Sequence, residues 1–134
     1  MLEIITTKLN ARVPVTIMHL KGNLDAAGSD IFDSYTQEVI AEGANDVLVD
    51  LNGVTFISSA GVRSLHRLFY QLHPEGSEEY RRILDEGVRK GIYKASHMKL
   101  RAPVSRVTDP LRVMGVDLYM DILNVDEKEA VKSF

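Results

Sequence analysis

The spacing of apolar residues changes from strand-like to helix-like in the middle of this chain. Residues 47–51 (VLVDL) form an almost continuous apolar run closed by the turn dipeptide Asn52-Gly53, which is typical of a strand buried on both faces. A second short run at 54–57 leads into Ser58 and Ser59. Beyond the serines, apolar residues recur at steps of three and four and predict a helix with one apolar face: Val62, Leu65, Leu68, Phe69 and Leu72. Both serines are therefore expected where a buried strand passes into a helix.

The N-terminal part of the chain predicts a hairpin followed by a helix. Alternating apolar and polar residues favour two strands, and the three residues between them are few enough for a hairpin turn. Either Asp25 or Ser29 is expected to cap the first helix, and Gly43 to end it. The predicted elements are strands at 2–9 and 13–20, a turn cluster at 21–25 and a helix from about 29 to 42.

The segment from 73 to 97 is much more charged than the rest of the chain. It predicts an amphipathic surface helix with Ser77 as its cap, in a helical insertion at about 74–95. This helix is interpreted either as a solvated cover or as a surface for a partner or a homodimer. The elements expected after it are a strand at 98–102, a helix at 105–114 kinked or restarted at Asp109-Pro110 and ended by Gly115, a strand at 118–123 and a helix at 126–134.

This order of elements indicates an α/β fold that borders on α+β. A strand hairpin followed by alternating helices and strands predicts one small mixed β-sheet with helices packed mainly on one face. The 134 residues have the size of a single domain, assigned to residues 1–134. Because sites in such sheets lie at the carboxyl ends of strands, the end of the central strand is the expected functional position.

Composition narrows the function classes. A formal charge of −3 and a pI near 5.8 do not indicate a nucleic-acid surface. There is no apolar run of the roughly 20 residues that span a bilayer, and the first residues do not form a signal peptide, so a cytoplasmic protein is expected. With no cysteine and four histidines that lack ligand spacing, neither a metal site nor a cofactor is predicted.

The two serines have two chemical interpretations. A serine ahead of a helix accepts a hydrogen bond from a free N–H group of the first turn, which makes it an N-cap. The same N–H groups and the positive end of the helix dipole favour an anion, including a phosphate attached to a serine. Both interpretations apply to Ser58 and Ser59.

Three elements in sequence resemble the STAS domain family, which includes bacterial anti-sigma factor antagonists and the cytoplasmic tails of sulfate-type anion transporters. They are Gly22-x-Leu24-Asp25, the stretch VLVDLNGVTFISSAGVRSL at 47–65, and Leu111-x-x-x-Gly115 ahead of an acidic terminal helix. The resemblance implies a small sheet with helices on one face, no catalysis and binding to a protein partner. A transporter tail is disfavoured because no membrane segment is predicted.

The resemblance also implies specific residue roles. In antagonist members, the serine of an Asp-Ser-Ser/Thr-Gly motif is phosphorylated by an anti-sigma factor that is also a serine kinase, and the phosphorylated antagonist lets go of it. Gly61 matches the motif glycine, Ser59 the phosphoacceptor, and Ser58 replaces the aspartate, with Ser58 as the alternative acceptor. The implied partner-binding residues are Asp25, Ser58, Ser59, Ala60, Gly61 and Arg63.

Two other function classes are weighed, a scaffold or sensory protein and an enzyme. The chain is either this switched antagonist or a non-phosphorylated STAS scaffold or sensory protein that assembles through its surface and the charged insertion. An enzyme is not predicted, because Ser59 lacks the Gly-x-Ser-x-Gly elbow of a nucleophile and His66 is expected on the solvated side of its helix.

Overall fold

A computed structural model describes residues 1–134 and contains one five-stranded sheet whose strands lie in sequence order. The strands are β1 (Glu3–Asn10), β2 (Pro14–Leu24), β3 (Val47–Ile57), β4 (Met98–Arg101) and β5 (Asp121–Leu123). The β1–β2 pair is an antiparallel hairpin, and the other three neighbouring pairs are parallel. The predicted mixed sheet is confirmed.

The helices lie unequally on the two faces of this sheet. They are α1 (Ala26–Ala41), α2 (Ser59–Leu72), α3 (Glu78–Arg82), α4 (Ser105–Val113) and α5 (Glu127–Lys132). A core cluster of 25 buried apolar residues joins one face to α1, α2, α4 and the segment after α3. The other face carries a cluster of five, in which Ala130 and Val131 of α5 join Val15, Ile17 and Leu48. Helices therefore pack mainly on one face, as predicted, and none is long and apolar enough to span a membrane.

Two predicted turns were wrong, because both lie inside strands. β2 continues through residues 21–24, and β3 runs without a break across Asn52-Gly53. Both stretches contain glycines where the register between β2 and β3 shifts by a β-bulge. A Cβ at Gly53 would lie 2.7 Å from the Leu20 carbonyl oxygen, and Gly22 has a φ of +111°. The glycines therefore permit close strand contact and a bulge rather than a chain reversal.

The charged segment is helical but shorter than predicted. Ser77 caps α3, as expected, and the helix passes into a π-helical turn at Ile83–Val88. The segment is tied to the body of the protein, since Ile83 is buried in the main core cluster and the Ala95 N–H donates to the Tyr119 carbonyl at 2.9 Å. It is thus part of the packed structure rather than a loose appendage.

Near the C-terminus, the predicted restart at Pro110 does not occur. α4 runs through Pro110, because Val107 and Leu111, one turn apart, are both fully buried and hold the two halves of the helix on the core. Gly115 (φ +78°) follows the helix end, as predicted. β5 is shorter than predicted because Val116–Leu118 form a 3₁₀ turn, and Asp126 caps α5.

Candidate functional site

The carboxyl ends of β2 and β3 meet at one edge of the sheet. Leu24 pairs with Ile57 in the parallel register, so the next residues, Asp25 and Ser58, follow neighbouring strand ends. The Ser58 N–H donates to the Leu24 carbonyl at 3.0 Å and continues the ladder by one bond. As a result, α1 and α2 begin side by side at this edge.

Ser58, not Ser59, caps α2. The Ser58 hydroxyl oxygen accepts a hydrogen bond from the Gly61 N–H at 3.3 Å, and its own backbone is extended, as an N-cap requires. Ser59 is the first helical residue; its side chain is exposed and its hydroxyl forms no hydrogen bond within the protein. The Ser59 hydroxyl is therefore free, whereas the Ser58 hydroxyl is already engaged within the protein. The sequence pattern had left this distinction open.

Asp25 is the cap of α1, one of the two predicted alternatives. Its Oδ1 accepts a hydrogen bond from the Gly28 N–H at 2.9 Å, while Ser29 is buried inside the helix. The helix consequently begins at Ala26, three residues earlier than predicted. The carboxylate also places a negative charge beside the start of α2.

Gly61 allows α2 to lie against β2. A Cβ at this position would be 2.3 Å from the Leu24 carbonyl oxygen and 2.8 Å from its Cγ, so only glycine fits without a shift. Ala60 is half-buried, whereas Arg63 is exposed and forms no ion pair. Arg63 lies four residues after Ser59, which places both on the same face of α2.

The structure thus brings five of the six predicted site residues to one sheet edge. They are Asp25, Ser58, Ser59, Ala60 and Gly61, and Arg63 lies one helical turn further along. The available chemistry is an exposed hydroxyl at the first position of a 14-residue helix, with free N–H groups beneath it and a guanidinium one turn away. This arrangement accommodates an anionic group attached to Ser59.

His66 was wrongly predicted to be solvated. It is half-buried and hydrogen-bonded through Nδ1 to the Tyr119 hydroxyl, with Tyr70 packed edge-on at a ring-centroid distance of 4.6 Å. Burial lowers the pKa of His66 and raises the pKa of Tyr119 to about 12. The aromatic residues three and four positions after His66 are the sequence signal for this cluster; its partner Tyr119 is distant in sequence.

On the opposite face, β2, β3 and α5 bring His19, Asp50 and Glu127 together, with their ligand-type atoms within 4.8 Å of one another. The His19 Nδ1 lies 2.8 Å from a Glu127 oxygen, and Arg101 donates to Asp50 at 2.9 Å. Burial raises the pKa of Asp50, but hydrogen bonds from the Asn52 N–H and Arg101 outweigh it and leave this pKa below its ordinary value. Because Arg101 also pairs with Asp50, these four residues form an ion network.

Comparison with known proteins identifies the family. The model of the STAS domain matches residues 6–80, which is more than half of the chain. The matched residues include the first turns of α1 and α2. None of the curated proteins matches in sequence.

Several solved structures share the fold. An anti-sigma factor antagonist from Mycobacterium paratuberculosis is 16% identical, with a TM-score of 0.66 over 97% of this chain and 95% of that one. The Bacillus cell fate determinant SpoIIAA in its phosphorylated form is 15% identical, with a TM-score of 0.62 and 96% of each chain covered. The anti-sigma factor antagonist SpoIIAA in its unphosphorylated form is 13% identical, with a TM-score of 0.62 over 96% and 94%. At these identities the likeness is one of fold.

Proposed function

The chain belongs to the STAS domain family, and we propose that it is an anti-sigma factor antagonist that binds an anti-sigma factor with serine kinase activity. In this proposal the kinase phosphorylates Ser59, and the phosphorylated chain is released. The protein acts by binding rather than by catalysis. Its partner-binding surface comprises Asp25, Ser58, Ser59, Ala60, Gly61 and Arg63.

The observation that carries the proposal is the difference between the two serines. Ser59 is exposed and its hydroxyl is free, so a kinase reaches it without breaking a bond in the protein. Ser58 is half-buried and already engaged with Gly61. Phosphorylating Ser58 would require its hydroxyl to leave the contact with the Gly61 N–H, which makes it the less suitable acceptor.

The replacement of the family aspartate by Ser58 is compatible with this role. Both side chains supply a cap oxygen, and Ser58 retains that function at 3.3 Å from the Gly61 nitrogen. A serine is neutral, however, so a phosphate on Ser59 has no carboxylate as its immediate neighbour in the chain. The positive end of α2 and Arg63 favour that phosphate in the released form.

The switch follows from charge and desolvation. A phosphate adds about −1.5 to −2 charge and considerable bulk to a surface that the partner contacts around a small hydroxyl. A loss of about 3 to 4 kcal/mol would weaken binding more than 100-fold, enough to exchange one partner for another. The bound and released states then depend on one side chain.

The test uses the protein expressed in its own host and purified from growing and from stressed cells. Intact-mass and phosphopeptide analysis should show a single phosphate on Ser59 that changes with condition. The serine kinase recovered with unmodified protein should phosphorylate the wild type in vitro but not Ser59→Ala.

Affinity for that kinase then tests the switch. Ser59→Ala should bind like the wild type, and Ser59→Glu about 100-fold more weakly, since a carboxylate imitates part of the phosphate charge. Ser34→Glu, at an exposed serine within α1, is the matched control and should bind normally. Equal affinity for all versions, with no phosphate in any condition, would refute the switch and favour the non-phosphorylated scaffold interpretation.

A further inference from the structure

An apolar cavity of about 280 Å³ lies between α2, the segment 80–88 and the turn after α4. Nine of its eleven lining residues are hydrophobic. Five of these are between 39 and 54% exposed although they are large and apolar: Tyr70, Leu84, Val88, Met114 and Leu118. A concentration of exposed apolar side chains around one concavity is typical of a binding site, whereas singly scattered ones are not.

A second cavity of about 410 Å³ adjoins the first and brings positive charge to it. The two share His66, Tyr70, Met114 and Tyr119 in their linings, so they lie side by side, and together they are called the groove. Arg63 and Arg67 line the second cavity. Arg67 is paired with Asp33 at 2.7 Å, which leaves Arg63 as the arginine without an ion pair.

A hydrogen-bond donor lies at the junction of the two cavities. The Tyr119 hydroxyl has His66 Nδ1 as its only hydrogen-bond partner, and the raised pKa of Tyr119 keeps the hydroxyl protonated. A hydroxyl can donate or accept, so this contact fits either tautomer of the neutral His66 ring; in the tautomer with the proton on Nε2, which a bound carboxylate selects, the hydroxyl donates to Nδ1. That Nε2–H has no acceptor within the protein and belongs to a residue that lines both cavities.

We propose that this groove binds a monocarboxylic acid with an unbranched apolar chain. The carboxylate accepts hydrogen bonds from Arg63 and from His66 Nε2–H, and the chain lies in the apolar cavity between α2 and the segment 80–88. One free guanidinium beside one neutral donor matches a single negative charge. The apolar cavity is at the small end of ligand pockets, which suits one hydrocarbon chain rather than a helix from a partner protein.

Octanoate is the probe for this site, titrated into the isolated wild-type chain by calorimetry and by amide NMR shifts. We expect saturable binding with a Kd of about 1 mM or lower, with shifts at Tyr70, Leu84 and Leu118. Octanol, which lacks the carboxylate, and acetate, which lacks the chain, should each bind at least about tenfold more weakly. Because no partner is present, failure here leaves the proposed switch at Ser59 unaffected.

Substitutions separate the two ends of the groove. Arg63→Gln should weaken octanoate binding about tenfold by removing the charge, and Val88→Asp at least as much by placing a carboxylate in the apolar cavity. Arg106→Gln, at an exposed arginine without an ion pair on α4, is the matched control and should bind normally. Val88 is 43% exposed, so its substitution should leave thermal unfolding nearly unchanged.

Three results would overturn the proposal. The first is no saturable binding of octanoate. The second is equal binding of octanol, which would show a purely apolar site. The third is wild-type affinity in both Arg63→Gln and Val88→Asp, which would place the ligand elsewhere.

Discussion

The helices α1 and α2 begin in nearly the same way at the same edge of the sheet. In each, a cap residue follows a strand end and accepts a hydrogen bond from a glycine N–H three residues later: Asp25 from Gly28, and Ser58 from Gly61. A Cβ on either glycine would lie 2.3 Å from a carbonyl oxygen of β2. The first turns of α1 and α2 therefore pack against the backbone of β2 in the same way.

Their chemistry differs at the cap and at the next residue. α1 has a carboxylate cap followed by Ala26, whereas α2 has a neutral cap followed by Ser59. Only α2 thus offers an exposed hydroxyl at its positive end. The comparison teaches that the close packing and the modifiable group are separable, because the glycines determine the first and a single exposed side chain the second.

The largest expected effect tests the shared packing. Gly61→Ala and Gly28→Ala should each reduce the free energy of unfolding by about 2–4 kcal/mol, since the new methyl group meets strand backbone that has little room to move. Urea unfolding measures both. Ser59→Ala is the control and should change stability by less than about 0.5 kcal/mol. If either glycine variant is as stable as the wild type, the two starts do not share this constraint.

The caps should show a smaller difference between the helices. Asp25→Ala should cost about 1–2 kcal/mol and Ser58→Ala about 0.5–1 kcal/mol, because the Asp25 bond is charged and shorter, 2.9 Å against 3.3 Å. Ser58→Asp should retain the stability of the wild type, since aspartate is an equally good cap. Chemical unfolding at neutral pH checks the order, and a larger loss at Ser58 than at Asp25 would reverse the comparison.

A charge at the first helical position sharpens the contrast further. Ser59→Glu should raise the free energy of unfolding by about 0.3–1 kcal/mol through the dipole of α2. Ala26→Glu should gain less, because the Asp25 carboxylate is its neighbour and repels it. Thermal unfolding at low ionic strength is the measurement. A stabilised Ser59→Glu would also show that any loss of partner binding in this variant is not misfolding.

The smallest expected effect concerns the start of α5, where the side chain of the first residue is engaged in an ion pair. Glu127 is held by His19 beside Asp50, unlike Ser59 at the start of α2. The lowered pKa of Asp50 means that its carboxylate contributes stability above its unfolded pKa of about 3.9, and that this contribution is lost as pH falls through the folded-state pKa.

Unfolding free energies measured between about pH 5 and pH 2 should therefore fall more steeply in the wild type than in Asp50→Asn. Asp30→Asn, at an exposed residue of α1 without an ion pair, is the control and should parallel the wild type. Parallel curves for wild type and Asp50→Asn would contradict the role of the ion network.

Local pattern was sufficient for much of the fold. The change from strand to helix spacing after residue 57, the apolar face of α2 and the caps at Ser77 and Asp126 all depend on neighbours within one turn. The same holds for Ser58 and Ser59 at the end of the central strand, whereas Asp25 was predicted in a turn and follows the end of β2 only because that strand continues to Leu24.

Tertiary structure decided what depends on residues distant in the chain. Asn52-Gly53 has the composition of a turn, yet it lies in a strand because β2 pairs with it and the missing side chain admits the Leu20 carbonyl. His66 has the spacing of a solvated residue but packs on Tyr119, and His19 meets Glu127 across the sheet. Sequence alone determined which positions are polar or apolar, and whether the apolar positions recur with the spacing of a strand or of a helix. Packing determined which of those groups are satisfied within the protein and which, like the Ser59 hydroxyl, remain free.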